Sequence, residues 1–120
     1  ASYNHPVDHQ DTPGYIVKSH FLGPEMHHKG QNYDVALESY KQAISIYGKT
    51  ENKEIMEQVF WARYQSGVIN AIKGNEQQAL KIYTELIELT GFEDKLWKKM
   101  ATEKHRTILS KLTYDDYLKE

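Results

Sequence analysis

One pattern occurs twice in this chain at an interval of 43 residues, and this repetition restricts the fold more than any other feature. The two stretches read GQNYDVALESYKQAI and GNEQQALKIYTEL. Aligning Ala36 with Ala79 superposes Tyr40 on Tyr83, and a glycine precedes each alanine by five or six residues. Apolar residues three and four positions apart mark one face of a helix. The chain is therefore expected to build the same helical unit twice, because one unit cannot cover its own apolar face.

Helical periodicity extends over most of the chain. The clearest predicted helices cover residues 33–47, 52–73, 76–90 and 95–112. The second of these is apolar over most of its girth, which is typical of a central helix with neighbours on both sides. No segment has the two-residue period of a strand. The sequence therefore predicts an all-α fold of successive antiparallel helices joined by short turns.

The ends of the chain differ from this pattern. Residues 1–14 hold two of the three prolines and few apolar residues, so we expect a flexible lead-in before a helical domain over 15–112. Gly23-Pro24 should break or kink the first helix, or else that helix starts at Pro24 and ends near His28. Residues 113–120 are expected to form a tail or to begin a further helix, since Thr113 and Asp116 have capping-box spacing.

Local signals refine two helix ends and one buried face. Gly48 is well placed to cap the helix that ends at Tyr47, and Asp94 is a fair N-cap for the last helix. Phe60, like Tyr40 and Tyr83, is expected in the core. The residues of the last helix predicted to face inward are Leu96, Met100, Ile108 and Leu112.

Composition excludes several classes of partner. The 15 Lys and Arg residues nearly balance 17 Asp and Glu, so we expect neither nucleic acid nor an anionic membrane surface as a partner. No apolar run approaches the roughly 18 residues that a membrane span needs. The chain has no cysteine, which excludes disulfides and thiol catalysis. The compartment stays open, with the cytoplasm slightly favoured.

Catalytic and metal motifs are also missing from the sequence. No serine lies in a Gly-x-Ser-x-Gly turn, and no glycine-rich loop carries the lysine of a phosphate-binding loop. His5 and His9 stand four residues apart, but Pro6 prevents both from lying within one regular helix. His27 and His28 are adjacent, so they point in different directions. We therefore expect no enzyme activity, no cofactor and no metal.

The repeated pattern resembles the tetratricopeptide repeat, a helix–turn–helix unit with the signature W-x2-L-G-x2-Y…A-x3-F. The first copy carries it at Leu22, Gly23, Met26, Gly30, Tyr33, Ala36, Tyr40 and Ala43; the second at Gly67, Gly74, Ala79 and Tyr83; a partial third at Trp97, Met100 and Ala101. The interval of 43 residues exceeds the usual period of about 34, as in long-helix variants. The resemblance implies a right-handed stack of antiparallel helix pairs that binds a protein or peptide on its concave face.

The resemblance also implies a site. Trp61, Tyr64, Gln65 and Val68 are expected to line the concave groove, with a basic edge formed by Lys95, Lys99 and Arg106. Repeats of this kind that hold a carboxylate use basic residues near the start of a first helix, where this chain has Lys95 and Lys99. Gln65 stands where such domains carry an asparagine, whereas His20 and Pro24 replace a lysine and an asparagine.

Four alternatives stay open at this point. The aromatic residues of the long helix could be core, and the basic face of the last helix could simply keep that helix soluble. The module could also be structural, assembling into a homo-oligomer or a larger helical array. An enzyme or metal protein that uses the histidines is the remaining class.

Overall fold

The computed structural model describes residues 14–119, which form five α-helices. Their bounds are α1 Gly14–Lys29, α2 Tyr33–Tyr47, α3 Lys53–Ile72, α4 Glu76–Ile87 and α5 Leu96–Lys119. No strand occurs between residues 14 and 119, so the predicted all-α fold is confirmed. The predicted lead-in falls outside the described residues except for its last residue, Gly14, which begins α1.

Contacts within the chain divide it into two compact units, Ala1–Ala62 and Arg63–Glu120, with the boundary inside α3. In the first unit α1 packs against α2, and in the second α4 packs against α5. The predicted domain bounds of 15–112 are not tested by this division and stay a prediction.

The core of the first unit is built on one face of α2. Its buried residues are Ala36, Tyr40, Ala43 and Tyr47, spaced four, three and four positions apart. The hydroxyl of Tyr47 is hydrogen-bonded to Nδ1 of His20 on α1 at 2.8 Å, and its ring lies 5.6 Å from that of Phe21. The helical period of α2 thus predicts its buried face correctly.

α1 runs without interruption through Pro24, so the predicted break and the alternative start at Pro24 are wrong, while the predicted kink stays a prediction. A proline inside a helix leaves one carbonyl without its backbone donor, and its ring crowds the preceding turn. Gly23 reduces the crowding because it has no Cβ to meet the proline ring. Val17, Phe21 and Pro24 are all buried, at spacings of four and three residues. Burial of this face accounts for a continuous helix despite the proline.

The repeat register expected for α1 is also displaced. Leu22 and Met26 should be core residues in the tetratricopeptide pattern, but they are 54% and 65% exposed. Phe21 and Pro24 are buried instead. Pro24 stands 43 residues before Gly67, so the interval of the repeat also places Pro24, and not Gly23, at the buried position.

The core of the second unit depends on a close approach between α3 and α4. A Cβ added to Gly67 would lie 2.5 Å from Cε1 of Tyr83, closer than any carbon pair tolerates. Ala79 and Tyr83 are completely buried, and the Tyr83 ring lies 6.0 Å from the Tyr64 ring. The glycine therefore makes room for the tyrosine ring.

The α1–α2 turn and the α3–α4 turn have the same backbone geometry. In each, the asparagine that precedes the second helix donates its N–H to the carbonyl five residues earlier: Asn32 to His27 and Asn75 to Asn70, both at 2.8 Å. The φ and ψ angles are −87° and 68° at Asn32, and −86° and 63° at Asn75. The internal repeat is therefore present in the hydrogen bonding as well as in the sequence.

The two turns differ at the residue that adopts the left-handed conformation. That residue is Gly74 in the second turn, at φ 85°, but Gln31 in the first, at φ 65°. Gly30, the glycine expected to mark the first turn, lies one position earlier. A side chain at a left-handed position costs roughly 1 kcal/mol or more, a penalty that glycine avoids. The first turn is therefore strained where the second is not.

We expect Gln31→Gly to stabilise the protein by about 1 kcal/mol, because the change removes this strain from an exposed position. The matched change Gly74→Ala should destabilise by a similar amount, since a Cβ there meets no other atom and only the backbone is affected. Urea denaturation of both variants measures the two effects. If Gln31→Gly instead lowered stability, as a change to glycine does at an ordinary helical position, the left-handed conformation of Gln31 would be contradicted.

α5 differs from expectation at both ends. The carbonyl of Lys95 accepts the N–H of Lys99, so Lys95 and not Asp94 occupies the N-cap position. The helix continues past Leu112 to Lys119. Thr113 therefore lies inside α5, and the predicted start of a further helix there is wrong.

The buried face of α5 is offset by one residue near its start. Trp97, Ala101 and Ile108 are buried, whereas Leu96 is 63% exposed. Of the residues predicted to face inward, only Ile108 is fully buried, and Met100 and Leu112 are half-buried. One residue corresponds to about 100° of rotation, so this shift turns Lys99 and its neighbours to a different side of the helix.

Candidate functional site

The connection between α4 and α5 fixes the start of α5. Nζ of Lys98 donates to the carbonyl of Leu89 and lies 3.6 Å from the Glu93 carboxylate. That carboxylate also accepts the N–H of Gly91. Hydrogen bonds from the backbone N–H groups of Glu93 and Gly91, followed by the charge of Lys98, lower the pKa of Glu93. The Lys98 side chain therefore stabilises the connection between α4 and α5. The side chain of Lys99, one residue later, lies on a different side of α5.

A pocket of about 250 Å³ opens in the second unit beside α5. Its lining residues are Tyr64 of α3 together with Lys99, Met100, Glu103 and Lys104 of α5. Residues three and four positions apart on a helix are neighbours on its surface, which brings the four α5 side chains together. The pocket thus combines an aromatic ring, a thioether and three charged groups.

The base of the pocket is apolar. Tyr64 is only 2% exposed and packs against the ring of Tyr83, while Met100 is half-buried. Burial raises the pKa of Tyr64. Tyr64 was predicted to form part of a groove wall; its side chain is almost completely buried, and its role in binding stays a prediction. Its remaining accessible edge still contributes to the pocket.

The rim carries net positive charge. Nη1 of Arg106 lies 2.9 Å from Oε1 of Glu103, so this carboxylate is already paired. Lys99 and Lys104 have no ion-pair partner among residues 14–119, and both are exposed. Two ammonium groups at an apolar pocket favour a ligand that has a carboxylate next to an apolar group.

Three other basic residues in or next to α5 also make contacts within the second unit: Lys95 and Arg106 of the predicted basic edge, and Lys111 further along the helix. Lys95 is the half-buried N-cap of α5, and Arg106, which does not line the pocket, pairs with the lining residue Glu103. Their role in binding stays a prediction. Nζ of Lys111 lies 3.0 Å from the carboxylate of Glu76 on α4. The basic face is thus used in part for packing within the second unit.

The remaining predicted groove residues do not line this pocket. Gln65 and Val68 are half-buried in the second unit, and Trp61 is half-buried in the first. Their role in binding stays a prediction. Of the seven predicted residues, two line this pocket together, Tyr64 and Lys99.

Sequence reasoning missed three lining residues, namely Met100, Glu103 and Lys104. Met100 was assigned to the core because the inward face of the last helix was placed one residue early. With the correct face, the spacing of four residues from Lys99 to Glu103 and from Met100 to Lys104 would have grouped them.

Across residues 14–119, no three His, Asp or Glu side chains are grouped closely enough to hold a metal ion. None of the helices in that range has the length and apolar character needed to cross a membrane. Compared with protein-family models, curated proteins and solved structures, the chain matches none of them.

Proposed function

We propose that this chain is a non-catalytic helical-repeat module that binds a protein or peptide segment, with an acidic group held at the pocket beside α5. The observation that carries the proposal is the pairing of an apolar base, Tyr64 and Met100, with two exposed lysines that have no ion-pair partner among the described residues. A module of this kind requires no cofactor.

The tetratricopeptide-like architecture is part of the proposal. Its support is the pair of turns with matching hydrogen bonds at the 43-residue interval, and the buried alanine and tyrosine that follow each turn at Ala36, Tyr40, Ala79 and Tyr83. Trp97 and Ala101 are buried at the start of α5, as the first helix of a third unit would require. Fold analogy alone is a weak basis for function, so the site must carry the argument.

The two parts of the pocket are expected to contribute differently. Burial of an apolar side chain against Tyr64 and Met100 supplies most of the affinity. Lys99 and Lys104 are exposed, so their attraction for a carboxylate is screened and worth about 0.5–1 kcal/mol each. They mainly orient the ligand and accelerate association.

Selection from a displayed random-peptide library tests this function directly. We expect enriched sequences that place Asp or Glu beside a large apolar residue. For the synthesised peptides, Lys99→Ala/Lys104→Ala should weaken binding about tenfold in fluorescence anisotropy. The same variant should reduce the salt dependence of the association rate.

The exposed Lys81 of α4 supplies the matched control, because Lys81→Ala removes one positive charge from the same unit away from the pocket. Its affinity for the selected peptides should equal that of the wild type. Enrichment of neutral or basic peptides, or equal binding by the double lysine variant, would rule out this site.

A further inference from the structure

The last part of α5 extends beyond the helix it packs against. Near its start, Lys98 meets Leu89 at the end of α4; further along, Lys111 meets Glu76, the first residue of α4. The two helices are therefore antiparallel, and the eight residues from Leu112 to Lys119 project past the beginning of α4. At 1.5 Å per residue this overhang is about 12 Å long.

The overhang exposes an apolar stripe. Tyr114, Tyr117 and Leu118 are 60%, 71% and 62% exposed, at spacings of three and four residues that place them on one side of α5. Ile108, which packs inward, lies on a different side of the helix. Exposed aromatic residues grouped in this way are typical of an interaction surface.

We infer that this stripe packs against α5 of a second copy of the chain, with the two α5 helices antiparallel about a twofold axis near Tyr114. The two Tyr114 rings then meet at the axis, and Tyr117 of each copy faces Lys111 of the other. In that arrangement the small residue Ser110 of one copy faces Leu118 of the other. A twofold contact uses the same patch on both copies and is the commonest form of association.

Charge favours a second copy over another partner. Lys111 and Asp115 flank the stripe on the same side, one helical turn apart. Antiparallel pairing about Tyr114 brings Lys111 of each copy near Asp115 of the other, so both charges are matched twice. A partner helix with only acidic residues would be repelled by Asp115, and one with only basic residues would be repelled by Lys111. Lys111 already contacts Glu76, but its side chain is still 59% exposed.

The size of the stripe determines how strong the dimer is. Each copy offers two tyrosines and one leucine, roughly 300–400 Å² of surface. The pair therefore buries on the order of 700 Å², less than the 1,200 Å² of a standard stable interface. The dimer should form and dissociate rapidly, with a Kd in the range of about 10 µM to 1 mM.

Sedimentation equilibrium of the full chain over that concentration range tests the inference. We expect the mean mass of the wild type to rise toward twice that of one chain. Leu118→Asp should stay monomeric throughout. Leu96→Asp is the matched control, because Leu96 lies on the same helix and is exposed to the same degree, 63% against 62%. It should associate like the wild type.

A charge exchange tests the orientation. Asp115→Lys places two lysines opposite each other and should weaken association several-fold, whereas the variant Asp115→Lys/Lys111→Glu/Glu76→Gln should restore it. Glu76→Gln is included because Lys111→Glu alone would place two carboxylates at the contact between positions 111 and 76. Circular dichroism should show unchanged helix content in each variant, since all of these side chains are at the surface or half-exposed. A monomeric wild type up to 1 mM, equal loss in Leu96→Asp, or no rescue by the charge exchange would overturn the inference.

Discussion

Replacing Gly67 with leucine is expected to destabilise the protein by about 3 kcal/mol, at the upper end of the range for overpacked cores. The Cβ alone would lie 2.5 Å from Cε1 of Tyr83, and leucine adds three more carbons in the same direction. Tyr83 is completely buried, with Ala79 one turn before it, so its ring cannot turn aside into solvent. The two helices must therefore separate, and the packing of α3 against α4 is lost.

Urea denaturation gives the free energy of unfolding for this variant and for two controls. Gln77→Leu and Lys81→Leu introduce the same side chain at exposed positions of α4 and should each change stability by less than about 0.5 kcal/mol. A further variant tests the contact itself. Tyr83→Ala should relieve part of the penalty of Gly67→Leu, so the double variant should be more stable than the sum of the single effects. Strict additivity would mean that Gly67 and Tyr83 are not in contact.

The parts of the fold that could be predicted are those set by local periodicity. α2 begins at Tyr33 and ends at Tyr47, as its apolar spacing indicates, because the helical period alone decides which side is buried. The interval between the repeated stretches likewise identified Ala79 and Tyr83 as core residues. Such positions are informative because a small and a large residue alternate where two helices touch.

The parts that could not be predicted depend on tertiary contacts. Pro24 is tolerated within α1 because its face is buried, which no local rule includes. α5 continues to Lys119 because its last turns contain no breaker, whereas a capping-box spacing at Thr113 suggested a new start. The left-handed conformation of Gln31 was also not predicted, because the neighbouring Gly30 is the residue type that adopts it most readily.

The candidate site was likewise predicted only in part. Lys99 was predicted from its place near the start of a first helix, and it does line the pocket. Tyr64 was placed in the groove wall because the family resemblance puts that side of the long helix on the concave face, but the ring is 2% exposed and packs on Tyr83. A helix with several neighbours has no single polar side, so periodicity cannot separate groove from core along it.

Alkaline pH is expected to destabilise the folded protein, because two buried tyrosines at equivalent positions of the repeat ionise much more readily in the unfolded chain. Tyr40 and Tyr83 are 1% and 0% exposed, and neither hydroxyl has a hydrogen-bond partner among the described residues. Burial raises the pKa of both, with the charges of Glu25 near Tyr40 and of Tyr64 near Tyr83 adding to the effect. The folded state therefore holds both phenols neutral above pH 10, where the unfolded chain ionises them.

The sign and the size of the effect follow from this difference. Below the unfolded pKa of 10 both states are neutral, so the contribution to stability is fully present; it is lost as pH rises toward the raised folded values. At pH 11 each tyrosine should lower the free energy of unfolding by about 1.4 kcal/mol. The two together remove a large share of a typical stability of about 5–15 kcal/mol.

Phenylalanine variants separate these two groups from the others that titrate at high pH. Tyr40→Phe and Tyr83→Phe should be neutral or stabilising by about 1 kcal/mol at pH 7, because each removes a buried hydroxyl that has no described partner. At pH 11 the advantage of each over the wild type should grow by about 1.4 kcal/mol. Tyr117→Phe, at a site 71% exposed, should show no such growth in dilute solution. If all three variants lost stability in parallel with the wild type between pH 7 and pH 11, the alkaline unfolding would have another origin, and the two hydroxyls would not be held neutral by the fold.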